Sequence, residues 1–150
     1  SGISDDYTIE IDIAPEAENA MLECDARLIS RAINNLVQNS IKHNPQGCRI
    51  RLSLKNTGKT LILTVADNGV GLTPEKLQEL EEKPHYMEST DERLDLRHGL
   101  GLLLVRQIVE AHGGSVRIDS ISNQGYQANL SFQTSSTDTV SSAWLPRTPT

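Results

Sequence analysis

From Tyr7 to Ile13, the isoleucines at 9, 11 and 13 alternate with Glu10 and Asp12, the period of a half-buried strand that Pro15 brings to an end. Beyond Asp25, an N-cap residue by type, Leu28, Ala32, Ile33, Leu36, Val37 and Ile41 recur at helical spacing. That helix should stop near His43, because Asn44 precedes Pro45 and Gly47 follows. Cys48, Ile50, Leu52 and Leu54 then alternate with Arg49, Arg51, Ser53 and Lys55. Asn56-Thr57-Gly58-Lys59 turns the chain, and Leu61 to Ala66 returns as a nearly continuous apolar strand, the deeply buried arm of an antiparallel hairpin. Thr73 as N-cap and Pro74 at the first helical position predict a short helix to about Glu82. Residues 83–97 have no period and read as a long polar loop, of the kind that is usually functional. A strongly apolar helix is predicted from about Leu100 to His112, ended by Gly113-Gly114. A last hairpin pairs Ser115–Ile121 with Tyr126–Phe132 through a Ser-Asn-Gln-Gly turn. This order of elements predicts an α/β (α+β) sandwich: a mixed, mainly antiparallel sheet with helices on one face.

Length and composition narrow the class. The 150 residues fit one domain, which at this size buries roughly 70% of its unfolded surface and needs no metal or disulfide staple. Ser1-Gly2 reads as a cleavage remnant, residues 1–4 as linker, 5–133 as the domain and 134–150 as a disordered Ser/Thr/Pro-rich tail. Only five aromatics are present, so the core must be built from Leu, Ile, Val and Ala. A net charge of −6 argues against a sequence-independent nucleic-acid binder, which needs a basic face. It leaves room for a phosphate ligand held by backbone N–H groups and a few local cations. No apolar run approaches the roughly 20 residues of a membrane span. Cys24 and Cys48 lack zinc spacing and make a poor disulfide framework, so both are expected to be buried small hydrophobes in a reducing compartment.

Several catalytic motifs are excluded. Gly58-Lys59-Thr60 resembles the end of a phosphate-binding loop, but Ser53 stands where its first glycine belongs, and it sits in a hairpin turn. Gly69-Val70-Gly71 and Gly99-Leu100-Gly101 each begin a dinucleotide-binding pattern whose third glycine fails, at Pro74 and Leu104. The four histidines are scattered. Three elements remain. Asn34, Asn35 and Asn39 lie on the polar side of the first helix, with Asn35 and Asn39 sharing a face and Lys42 and His43 one turn on. Asparagine is a poor helix former, so three in six residues need a local reason; a solvated helix face is the plain alternative. Asp67-Asn68-Gly69-Val70-Gly71 follows the buried strand, offering either a fixed carboxylate beside closely approachable backbone or an ordinary turn. Gly99-Leu100-Gly101-Leu102 opens a helix whose free N–H groups could bind phosphate, although Gly-x-Gly also occurs by chance.

Taken in order, Asn35-Leu-Val-Gln-Asn39-Ser-Ile-Lys42-His43, Asp67-Asn-Gly-Val-Gly71 and Gly99-Leu-Gly101-Leu-Leu resemble the three nucleotide-binding boxes of the sensor histidine kinase catalytic domain. That family belongs to the wider superfamily of gyrase, Hsp90 and MutL-type ATPases, and the resemblance spans about residues 5–133. It implies a Bergerat-type ATP-binding fold, ATP and Mg²⁺ as ligands, and transfer of the γ-phosphate to a histidine on a separate dimerisation domain. It further implies that Asp67 accepts a hydrogen bond from the adenine amino group, that Gly69 and Gly71 let the loop wrap the base, and that Asn39 offers its oxygen to Mg²⁺. Lys42 would neutralise phosphate charge, with His43 lining the ribose or phosphate side. His98, Gly99, Leu100, Gly101 and Leu102 would close over the triphosphate, and Arg93 and Arg97 would reach the γ-phosphate. Asn35 would stand where gyrase-type ATPases carry a water-activating glutamate; an amide cannot take that proton, so slow hydrolysis is expected. The sequence departs from the family in lacking a Phe-x-x-Phe element between the second and third boxes. The partners implied are the phosphoacceptor domain of the same kinase and, indirectly, a response regulator. The chain would be a monomeric cytoplasmic piece of a dimeric, membrane-anchored sensor.

Overall fold

The computed structural model describes residues 6–82, 102–121 and 124–134. Its elements run β1 (Tyr7–Ile13), a single 3-10 turn (Pro15–Ala17), α1 (Ala26–His43), β2 (Cys48–Thr57) and β3 (Thr60–Asp67). They continue through α2 (Pro74–Glu82), α3 (Leu102–Ala111), β4 (Ser115–Ile121) and β5 (Gly125–Gln133). The strands form one sheet in the order β1-β2-β3-β5-β4. The β1–β2 pair is parallel, joined by the α1 crossover, and the other three pairs are antiparallel. The mixed, mainly antiparallel sheet is therefore as the alternation predicted.

Helix α1 begins where its cap was expected. The Asp25 side chain accepts from the backbone N–H groups of Arg27 (3.0 Å) and Leu28 (3.3 Å); such a cap contributes about 1 kcal/mol. Ala32, Leu36 and Val37 point from it into the core, where they meet Leu102, Val105, Ile108 and Val109 of α3 and the sheet residues Ile50, Val65, Ile118, Ala128, Leu130 and Phe132. His112 ties the two helices together. Its Nδ1 lies 2.8 Å from the Ile108 carbonyl, and its Nε2 accepts the Asp25 N–H at 3.0 Å, so the bridge needs the neutral ring with the proton on Nδ1. Helix α3 stops at Ala111, one residue before the expected end. Gly113, at φ +78°, turns the chain, and the Gly113 and Gly114 N–H groups close on the carbonyls of Glu110 and Val109.

Four expectations are corrected. The row Ile9, Ile11 and Ile13 is not half-buried: these side chains are 40%, 71% and 48% exposed. They share the sheet face that carries Ile50, Leu52 and Leu54, but β1 is the edge strand and α1 covers only its inner neighbours. Period two thus identified the strand but not its cover. The β2–β3 turn is shorter than four residues, because Asn56 pairs with Leu61 and Thr57 with Thr60, leaving Gly58-Lys59 as the connection. Gly125 belongs to β5, paired with Ile121, and not to the turn before it. Finally, Cys48 is buried but Cys24 is exposed. The predicted loop at 83–97 and all of the tail beyond Thr134 lie outside the described residues.

Candidate functional site

Three chain segments meet at one end of the sheet: the last turn of α1, the residues after β3, and the start of β5. Asp67 ends β3 and pairs with Tyr126 of β5, so both side chains stand on the helix-bearing face. Beside them lies a small cleft of about 20 Å³, lined by Asn39, Ser40, His43, Asn44, Asp67, Gly71, Leu72 and Tyr126. That is far below the roughly 300–1,000 Å³ of a formed ligand pocket, so the cleft has to widen to admit a base.

The Asp67 carboxylate is held from two sides. The Ser40 hydroxyl donates to Oδ2 at 2.6 Å, and the Gly69 N–H donates to Oδ1 at 2.9 Å. Each oxygen keeps a further lone pair, so the group can still accept from a ligand. The loop after it is fixed along its length. Asn68 exchanges bonds with Arg49 of β2, donating its N–H to the Arg49 carbonyl and accepting the Arg49 N–H on Oδ1. Val70 donates to Asn44 Oδ1 at 2.9 Å, and Leu72 donates to Ser120 Oγ at 2.7 Å. Asn44 in turn donates through Nδ2 to the Ser40 carbonyl at 2.7 Å, satisfying a carbonyl that the ending helix would leave open. The Tyr7 hydroxyl donates to the Asn44 carbonyl at 2.6 Å, and thereby fixes the start of β1 to the site. Behind this cluster, Cys48 faces the Ser40 carbonyl across 3.9 Å. Burial pushes its thiol above the ordinary range, the charge of Asp67 pushes it further, and a hydrogen bond with Asn44 opposes both.

Asn39 is 7% exposed, and its Nδ2 has no hydrogen-bond partner. A buried amide left unpaired costs about 1–3 kcal/mol. The cleft therefore presents one fixed acceptor, Asp67, and one side-chain amide with unused capacity.

The segments bring the sequence-predicted residues together unevenly. Asn39, His43, Asp67 and Gly71 line the cleft, while Gly69 stands behind the wall against the Asn44 amide. Lys42 is exposed on the next position of α1 and is not among the lining residues. Asn35 does not share the cleft with Asn39. It lines a shallow outer groove with Ala26, Arg27, Ser30, Arg31 and Asn34, because four residues of helix carry it about 6 Å further from the Asp67 end. Leu102 is 3% exposed in the core. Arg93, Arg97, His98, Gly99, Leu100 and Gly101 lie outside the described residues. Sequence reasoning missed Ser40, Asn44, Ser120, Gly125 and Tyr126. For Asn44 the available signal was its place before Pro45, which marks a helix end but gives no hint of the loop 24 residues or more away. Gly125 had none: a Cβ there would stand 2.3 Å from the Asp67 carbonyl, a closeness that only the folded pairing creates.

Residues 24–138 match the family described as histidine kinase-, DNA gyrase B- and HSP90-like ATPase. The chain belongs to this ATPase family. Among its relatives, sporulation kinase B of Bacillus subtilis is 34% identical over 119 residues, 79% of this chain and 26% of that protein. The adaptive-response sensory kinase SasA of Synechocystis is 36% identical over 119 residues, 79% of this chain and 30% of that one. The chain thus spans between a quarter and a third of the length of these two kinases. The solved structure of the mycobacterial sensor histidine kinase MprB matches with a TM-score of 0.63 at 25% identity, covering 86% of this chain and 83% of that one. The catalytic domain of the histidine kinase ThkA matches with a TM-score of 0.65 at 19% identity, over 85% and 78%, and shares the fold. The sheet and helices are those of a histidine kinase ATP-binding domain. Among the described residues no helix is long and apolar enough to cross a membrane.

Proposed function

We propose that this domain binds Mg-ATP in the cleft at the end of β3 and supplies the γ-phosphate to a histidine on another domain of the same kinase. The observation that carries the reading is the doubly held Asp67 carboxylate in a cleft that is also lined by Asn39, whose Nδ2 has no hydrogen-bond partner. An ionised carboxylate is an acceptor only. It matches the amino group of adenine and is mismatched to the carbonyl that guanine carries at the same position. Asn39 can turn its amide to present oxygen or nitrogen, which suits either a hydrated Mg²⁺ or a phosphate oxygen. Among the described residues no group of three or more His, Cys, Asp and Glu side chains could hold a metal unaided. That fits Mg²⁺, which usually takes one or two protein oxygens and completes its shell with water and phosphates. When bound, the ion would neutralise charge on the phosphates. The chain's own contribution is binding and orientation: Asp67 fixes the base, Asn39 the phosphate end, and His43 and Tyr126 line the walls between.

Lys42, exposed beside the cleft, is proposed to meet phosphate charge. Arg93 and Arg97 are proposed to reach the terminal phosphate, with 98–101 closing over it. The acceptor domain, the response regulator beyond it and a membrane anchor belong to the same proposal for the whole protein. Asn35, an amide lining the outer groove, is proposed to leave ATP hydrolysis slow, because the position carries no base to activate water. Calorimetric titration with ATP and GTP, each with and without Mg²⁺, tests the reading. ATP should bind with Mg²⁺ dependence, GTP far more weakly, and equal affinity for the two purines would refute it.

A further inference from the structure

We propose that Ser40 and Asn44 are positioning residues that set the Asp67 carboxylate, and that residue 69 is a glycine because the Asn44 amide occupies the space its side chain would need. This inference rests on Asp67 being the base-recognising acceptor. The resemblance to the kinase family would give Gly69 a different task, that of letting the loop wrap the base. The local geometry favours a neighbour within the protein. A Cβ built on Gly69 would stand 1.9 Å from Asn44 Oδ1, 2.3 Å from Cγ and 2.6 Å from Nδ2. All three atoms belong to one amide. That amide cannot swing aside cheaply, since Oδ1 accepts from Val70 N–H and Nδ2 donates to the Ser40 carbonyl, and Asn44 is 4% exposed.

The same bolt reaches Asp67 by two routes. Through Nδ2, Asn44 fixes the carbonyl of Ser40, whose hydroxyl holds Oδ2 of the carboxylate. Through Oδ1, it fixes the Val70 N–H, next in chain to the Gly69 N–H that holds Oδ1 of the carboxylate. Helix α1 and the loop after β3 are thereby locked in one register, and the direction of the carboxylate follows from that register. A side chain at 69 would force the amide out, breaking both routes at once without touching the nucleotide.

A double-mutant cycle on this chain tests the idea, with Mg-ATP affinity measured by calorimetry and folding checked by circular dichroism. Asn44→Ala deletes all three atoms that a Cβ at 69 would meet. Gly69→Ala should lower ATP affinity about 30-fold in the parent chain but less than about 3-fold in the Asn44→Ala background, because the two changes act on one contact. Equal losses in the two backgrounds would overturn the inference, as would a Gly69→Ala variant that binds normally. Should Gly69→Ala fail to fold, the cycle is read on folding itself: the double variant must regain the thermal transition of Asn44→Ala, and failure to do so refutes the steric account. Two readouts separate positioning from general stability. Hydrogen exchange at the Val70 amide should accelerate in Asn44→Ala, and the ATP-to-GTP affinity ratio should fall about fivefold or more in Ser40→Ala; an unchanged exchange rate or ratio contradicts the assignment. Asp67→Asn serves as the control. If it leaves ATP affinity intact, the recognition reading itself fails; if it abolishes binding while the cycle is additive, only the steric role of Asn44 against position 69 fails.

Discussion

The two ends of strand β3 carry glycines for opposite reasons. At one end Gly58-Lys59 links β2 to β3 in two exposed residues, and a Cβ on Gly58 would meet nothing within 4 Å. Gly58 is required by its backbone alone, at φ +61°. At the other end the chain leaves Asp67 through Asn68, Gly69, Val70 and Leu72, and each of these donates its N–H to a partner in or beside the site. Gly69 has open space denied to it on every measure, by an amide 25 residues earlier in sequence. One end of the strand merely reverses the chain. The other is held in place from three directions, which is what a site for a rigid planar ligand requires.

That contrast can be attacked at several points. The largest effect is expected at the held end: Asp67→Asn should cost Mg-ATP affinity by about 10- to 100-fold, corresponding to the roughly 1.5–3 kcal/mol of a charge-assisted hydrogen bond, with little change in GTP binding. A smaller loss should follow Ser120→Ala. Ser120 Oγ accepts the Leu72 N–H and donates to the Gly125 carbonyl at 3.1 Å, so its removal should cost about 1 kcal/mol in thermal or urea denaturation. ATP binding should weaken with it. The mirror experiment is Gly58→Ala, expected to cost a similar ~1 kcal/mol of stability through its left-handed backbone while leaving ATP affinity unchanged. A nucleotide effect at Gly58 would erase the distinction between the two ends. The smallest effect concerns pH. The Cys48 thiol titrates above its ordinary range in the fold, through burial first and then the charge of Asp67. Above about pH 8.5 the unfolded chain therefore binds fewer protons than the folded one, and stability declines as pH rises. Denaturation of Cys48→Ala across this range should show a shallower alkaline decline, and an unaltered slope would remove Cys48 from the account.

The same contrast explains what could be read from the sequence. Alternation and helical spacing placed the strands, α1 and α3 to within a few residues, because burial on one face imposes those periods whatever the tertiary partner, and the Thr73-Pro74 start signal placed α2. Asp25, Thr73 and Gly113 were legible for the same local reason: capping is settled by atoms a few residues apart. The exposure of Ile9, Ile11 and Ile13 was not, since whether a helix covers an edge strand depends on where α1 crosses, and no period records that. At the site, Asn39, His43, Asp67 and Gly71 were found as candidates. Asn44 and Ser40 were not, because their roles are set by the approach of β3 to the end of α1. Tyr126 entered the cleft only through the β3–β5 register that puts it opposite Asp67. Asn35 lies one helical turn before Asn39 on α1 and lines the outer groove, while Asn39 lines the cleft.

The central claim is that the carboxylate at the end of β3 recognises adenine. The most direct measurement is a pair of calorimetric titrations, ATP and GTP in the presence of Mg²⁺, on the parent chain and on Asp67→Asn. The parent should favour ATP by about tenfold or more, and the variant should lose that preference through weakened ATP binding. A variant that retains the full preference for ATP would contradict it.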